Sequence, residues 1–175
     1  IKPSNIFLVN NRIEDAKLLD FGVAQVAKST YAITGTGQMI GTLGYMAPEQ
    51  ALSGRDVTPA ADVFSLGCVL FECITGRAPF TGEWAEVLSK ILLSEPPRLR
   101  ELRRDVPHAI DELLTRMLRK DPLARASLAA VSADIATFLS VGTTALGGAT
   151  SDVAISTVEV PAVTVRPTAA GLTAE

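Results

Sequence analysis

One stretch constrains this chain more than any other. From Asp62 to Thr75 apolar side chains recur on every face, with Val63, Phe64, Leu66, Val69, Leu70, Phe71 and Ile74. A helix without a polar face belongs in the middle of a domain rather than on its surface. Gly76 follows as its stop. Gly67 is unfavourable by propensity inside such a helix, so close packing of a neighbouring helix is the expected reason for it. Further helices follow in order. Thr81 is expected to cap one carrying Trp84, Val87, Leu88, Ile91 and Leu92, which ends before Pro96-Pro97. Ile110, Leu113, Leu114, Met117 and Leu118 form the stripe of a surface helix. Ser127 is expected to cap a last one, with Leu128, Val131, Ile135, Phe138 and Leu139 inward.

Ahead of the helices the pattern is different. Ile6-Phe7-Leu8-Val9 and Ala16-Lys17-Leu18-Leu19 read as two short strands, with turn chemistry at Asn10-Asn11-Arg12. Residues 23–46 carry no sustained period and many threonines and glycines, so a long functional loop is expected there. After residue 140 Ala, Thr, Val and Gly dominate, and 141–175 reads as a flexible linker or tail behind a domain of residues 1–140. The fold class is therefore α+β, mostly α, with a short β-hairpin.

Composition narrows the chemistry. The chain has 175 residues, 47% of them hydrophobic, and 16 basic against 19 acidic side chains give a net charge of −3. Mild acidity gives no reason to expect nucleic acid as a partner. No run reaches the roughly 18 apolar residues of a membrane span. A structural zinc site wants four Cys or His ligands, and only His108, Cys68 and Cys73 exist. His108 reads as a surface histidine, and the two cysteines as packing residues of a reducing compartment. The Thr34-Gly35-Thr36-Gly37 run is no phosphate-binding loop, because no strand precedes it and no Gly-Lys-Ser/Thr follows. The Glu14-Asp15 pair belongs to the turn. Arg98, Arg100, Arg103 and Arg104, near Glu95, Glu101 and Asp105, read as a solvated, ion-paired connection.

Three short strings stand in a fixed order: Lys2-Pro3-Ser4-Asn5 before the first strand, Asp20-Phe21-Gly22 after the second, and Ala47-Pro48-Glu49 closing the long loop. Any one is a weak signal; all three, spaced by these elements, are hard to produce by chance. The sequence here resembles a eukaryotic-type protein kinase of the Ser/Thr group. The stretch Gly44-Tyr45-Met46-Ala47-Pro48-Glu49-Gln50 is similar to the bacterial branch of that family. The resemblance implies the large, C-terminal lobe of the kinase fold, with the smaller lobe missing from this stretch.

It also implies roles. Phosphoryl transfer needs nucleotide phosphates neutralised by Mg²⁺ and aligned with an attacking hydroxyl, and Mg²⁺ favours a few oxygen ligands. Asn5 would offer an amide oxygen and Asp20 a carboxylate, brought together by the strand pair. Lys2 would steady the transferring phosphate as a compact charge. Phe7 either lies under the adenine of ATP or is a plain core residue. Phe21, Gly22 and the residues up to Glu49 resemble an activation segment, with Thr34 and Thr36 as preferred phosphorylation sites and Ser29, Thr30 and Tyr31 behind them. Thr42 resembles a residue near the substrate hydroxyl. Glu49 and Arg125 resemble an ion pair that ties the segment to the helices. Asp62 either accepts N–H bonds from the catalytic loop or simply caps its helix.

The family's catalytic aspartate would stand immediately before Ile1, and the chain opens without methionine, so a start inside a larger protein is expected. The stretch alone is not expected to catalyse. The expected activity is that of a cytoplasmic Ser/Thr protein kinase using ATP and Mg²⁺ on protein substrates, with self-association for autophosphorylation. The alternative is an inactive kinase lobe serving as a protein-binding scaffold.

Overall fold

The protein is described here by a computed structural model covering residues 1–19, 43–52 and 57–146. Two strands, β1 (Ile6–Leu8) and β2 (Ala16–Leu18), pair antiparallel with Ile6 opposite Leu18 and Leu8 opposite Ala16. The connection is built from tight 3-10 turns at Val9–Asn11 and Ile13–Asp15. Asn10 and Asn11 both take left-handed backbone, at φ 54° and 56°, a conformation that asparagine tolerates because its short side chain bonds locally. Arg12 pairs with both Glu14 and Asp15, so the acidic pair serves the turn, as its position suggested. Between Ile1 and Leu19 no side chain is buried.

Six helices follow among the described residues: α1 (Pro48–Leu52), α2 (Ala60–Thr75), α3 (Trp84–Leu93), α4 (Leu99–Leu102), α5 (His108–Met117) and α6 (Leu128–Leu146). The apolar stretch forms α2, which buries Val63, Phe64, Cys68, Val69 and Phe71. Gly76 ends it at φ 76°, its N–H bonded to Glu72 O at 2.7 Å. Helix α5 lies against α2 with Leu113, Leu114 and Met117 buried. Phe64, Phe71, Phe80, Val87, Ile91, Leu99, Leu118 and Val131 share the same core.

Gly67 sits where α2 meets the end of α5. A Cβ there would stand 3.0 Å from Leu118 Cδ2 and 3.1 Å from Met117 Cβ. The second contact is to an atom fixed by its own backbone, so it cannot swing aside. Gly67→Ala should gain about 1 kcal/mol of helix propensity and lose about 1–3 kcal/mol to overpacking. The expected result is a net fall of about 1 kcal/mol in urea unfolding; an unchanged or higher midpoint would show that the helices separate freely at this point.

Several local expectations need correcting. Glu83, not Thr81, takes the position before α3, in extended backbone at φ −68° and ψ 159°. Gly82, at φ 137°, turns the chain between the two residues and leaves Thr81 outside the helix. Cys73 is exposed while Cys68 is buried, because the last turn of α2 emerges from the core. Ser127 does cap α6, its Oγ accepting from Ala130 N at 3.2 Å, but of the five apolar residues expected to face inward only Val131 is buried. Helix α6 also runs to Leu146, so the composition change at 140 does not mark its end. Arg103 pairs with Asp105 as the mixed charges suggested, at 2.5 Å. Arg98 instead reaches across to Asp111 and Thr115 on α5. Among the described residues no helix is long and apolar enough to cross a membrane.

Candidate active site and its anchor

The Lys2-Pro3-Ser4-Asn5 string forms a 3-10 turn at Pro3–Asn5, with proline in its first turn and Lys2 extended before it. Proline fits there because the missing N–H has no helical partner to lose. Asn5 N bonds Lys2 O at 3.0 Å, and Asn5 O accepts from Leu19 N at 2.7 Å. This last bond extends the hairpin pairing by one step beyond Ile6 and Leu18. It sets Asn5 beside Leu19, the residue that precedes Asp20 in the chain. Lys2 and Asn5 are both half-buried, and neither side chain bonds another described residue. Phe7 is 54% exposed, so it is not a core residue of the described structure. Asp20, Phe21, Gly22, Thr34, Thr36 and Thr42, with Ser29, Thr30 and Tyr31, lie outside the described residues.

The Ala47-Pro48-Glu49 string opens α1. Gln50 Oε1 accepts from Ala47 N at 3.0 Å, and Ala47 and Pro48 are buried. Glu49 meets Arg125 as a two-pronged pair, with Nη1 to Oε1 at 2.7 Å and Nη2 to Oε2 at 3.0 Å. The remaining guanidinium donors go to backbone: Nη1 to Ala60 O, Nη2 to Lys120 O and Nε to Arg119 O. All five donors of a planar fork are thereby used. The Arg125 side chain is fully buried.

Burial alone would raise the Glu49 carboxyl pKa, but the hydrogen bonds and charge of Arg125 outweigh it and hold Glu49 below its usual value. A carboxyl depressed in the folded state adds stability above its unfolded pKa, and that stability is lost as pH falls through the folded value. For glutamate the loss begins below about pH 4.3. Glu49→Gln should therefore be less stable at neutral pH and show a flatter loss of stability with acid. Parallel acid-unfolding curves for the two proteins would contradict this.

Two further bonds fix the segment just before α1, and sequence reasoning missed both. Ser65 Oγ, buried on α2, donates to Tyr45 O at 2.7 Å. Tyr45 Oη donates to Glu72 Oε2 at 2.5 Å, and burial together with that carboxylate pushes the phenol pKa up. Their signal was the presence of Ser65 and Glu72 in an otherwise apolar helix. Asp62 is exposed in the first turn of α2, and its carboxylate makes no bond to the Lys2–Asn5 segment. His108 is a surface residue near Glu112, at 3.4 Å. Among the described residues no cluster of His, Cys, Asp and Glu could hold a metal.

Residues 1–135 match the protein kinase domain family, and the chain belongs to it. It is 42% identical over 125 residues to the serine/threonine-protein kinases drp72 of Corynebacterium efficiens, covering 71% of this chain and 23% of that protein. It is 38% identical over 139 residues to the serine/threonine-protein kinase PrkC of Bacillus subtilis, covering 78% of this chain and 21% of that protein. To the serine/threonine-protein kinase PknA of Mycobacterium tuberculosis it is 39% identical over 125 residues, covering 71% and 28%. The chain thus spans between a fifth and under a third of the length of these curated relatives. Its mostly helical architecture with one short antiparallel pair is that of the large lobe of the family's domain.

Proposed function

We propose that the whole protein is a cytoplasmic serine/threonine protein kinase, transferring the γ-phosphoryl group of ATP to Ser or Thr hydroxyls of proteins. The observation that carries this reading is the Asn5–Leu19 bond, which brings one candidate oxygen donor to the chain neighbour of the other. An amide and a carboxylate oxygen are the donor chemistry that Mg²⁺ accepts, so Asn5 and Asp20 would hold the ion. Bound there, Mg²⁺ supplies charge neutralisation for the nucleotide phosphates. Lys2 offers a point charge to the transferring group, and the exposed Phe7 ring offers a flat surface to adenine. Glu49 and Arg125 anchor the far end of the activation segment. Within that segment Thr34 and Thr36 are the proposed regulatory phosphorylation sites, filled by self-association of two copies, and Thr42 lies toward the substrate hydroxyl.

The test is phosphate incorporation by the full-length gene product with ATP, Mg²⁺ and a Ser/Thr-containing protein substrate. Asn5→Ala and Asp20→Ala should each lower the rate at least about a hundredfold, while Arg104→Ala, at an exposed position, leaves it unchanged. A wild-type product that incorporates no phosphate yet captures a protein partner would replace this reading with a binding scaffold.

A further inference from the structure

A cavity of about 270 Å³ opens where the loop between α2 and α3 meets the end of α3. Pro79 and Phe80 give it an apolar wall, while Arg77, Thr81, Lys90 and Ser94 bring donors to it. The Arg77 side chain is exposed, and among the described residues nothing bonds its guanidinium. Its backbone is held all the same, the N–H donating to Thr75 Oγ1 at 3.4 Å and the carbonyl accepting from that hydroxyl at 2.8 Å. Lys90 Nζ donates to Thr81 O at 2.8 Å and to Glu86 Oε1 at 2.6 Å, which leaves the third N–H of its ammonium. The hydroxyls of Thr81 and Ser94 bond no other described residue. The acidic groups nearby are already engaged. Glu86 holds Lys90, and Glu95, also at the cavity, favours the charged form of Lys120. Lys120 Nζ in turn donates to Lys90 O at 3.1 Å, which offsets the negative end of α3.

We propose that this cavity binds a phosphate dianion, carried either by a small free phosphate or by a phosphorylated Ser or Thr side chain. Arg77 offers a planar fork, with two N–H groups for two oxygens of one phosphate. The spare Lys90 N–H and the two hydroxyls supply the third oxygen. Because the Arg77 backbone is already fixed, only its side chain has to be ordered on binding. The local balance of charge favours an anion too. Arg77, Lys90 and Lys120 stand here against Glu86 and Glu95, in a chain whose net charge is −3. The cavity is smaller than the roughly 300–1,000 Å³ of a drug-sized pocket, which suits a phosphate and its ester carbon rather than a nucleotide. No bond is made or broken, and the inference stands apart from the kinase reading.

The full-length gene product is titrated calorimetrically with inorganic phosphate in one arm and with a glycine-flanked phosphoserine peptide in another. The same peptide without its phosphate is the blank. Arg77→Gln removes a guanidinium that holds nothing in the described fold, so it should keep the wild-type urea midpoint. It should weaken phosphate binding about tenfold or more, the range expected for a lost hydrogen bond to a charged group. Arg104→Gln, exposed and away from the cavity, should bind as wild type does. Weakening by Arg77→Gln in both arms supports the proposal, and weakening in one arm alone supports it and identifies the source of the phosphate. No binding in either arm, equal binding of the unphosphorylated peptide, or equal affinity of wild type and Arg77→Gln would overturn it. So would an equal loss in Arg104→Gln, which would reduce the effect to net charge.

Discussion

Arg125→Ala should lower the unfolding free energy by about 3–5 kcal/mol, because it strands the Glu49 carboxylate in a site with little water. Glu49 is only 14% exposed and loses both of its Arg125 bonds at once. The carbonyls of Ala60, Arg119 and Lys120 lose their donors as well. Against a typical total of about 5–15 kcal/mol, that is a large share. Arg125→Lys keeps the charge but not the planar fork, so it should fall between wild type and the alanine variant. Urea denaturation of the three proteins reads the difference directly. Coincident curves for wild type and Arg125→Ala would mean that the pair adds nothing beyond water contacts.

Phe64→Ala should have an effect of similar size, for a different reason. The ring is fully buried and parallel to Phe80, with centroids 6.2 Å apart. Removing such a ring costs about 3–5 kcal/mol in lost burial and residual cavity. Here it also takes away the face on which Arg125 and Lys120 rest. Phe64→Leu restores most of the volume but no aromatic face, and should recover more than half of the loss. Phe64 and Arg125 touch, so the double variant should lose less than the two single losses added together. Simple additivity in that cycle would show the ring and guanidinium to be energetically independent.

How far the sequence foretold this structure depends on the element. Helix α2 was legible because its apolar residues leave no polar face, and Gly76 could end it only in left-handed backbone. The Glu49–Arg125 pair was legible through family resemblance alone: 76 residues separate the partners, and no local pattern joins them. Helix α4 was invisible, since four residues give periodicity nothing to repeat. The start of α3 was misjudged because Thr81 has the right side chain, yet Gly82 turns the chain after it. The inward face assigned to α6 assumed that apolar residues at helical spacing are covered. Val131 is, while Leu128 remains 62% exposed. Asn5 stands directly before β1, where the apolar run Ile6-Phe7-Leu8-Val9 had put the start of the strand. Contacts such as Ser65 to Tyr45 O depend on where two distant segments meet, which spacing along the chain does not encode.

The hairpin that carries Asn5 has a consequence for how such a protein changes over generations. From Ile1 to Leu19 no side chain is buried, and among the described residues the apolar interior is made by Leu43 and the residues after it. Replacing a side chain at Lys2 or Asn5 leaves the packing of α2 against α5 as it was. Descent can therefore alter or extinguish the chemistry proposed for this strand end while the helical scaffold persists intact, and a stably folded copy is no guarantee of a working one.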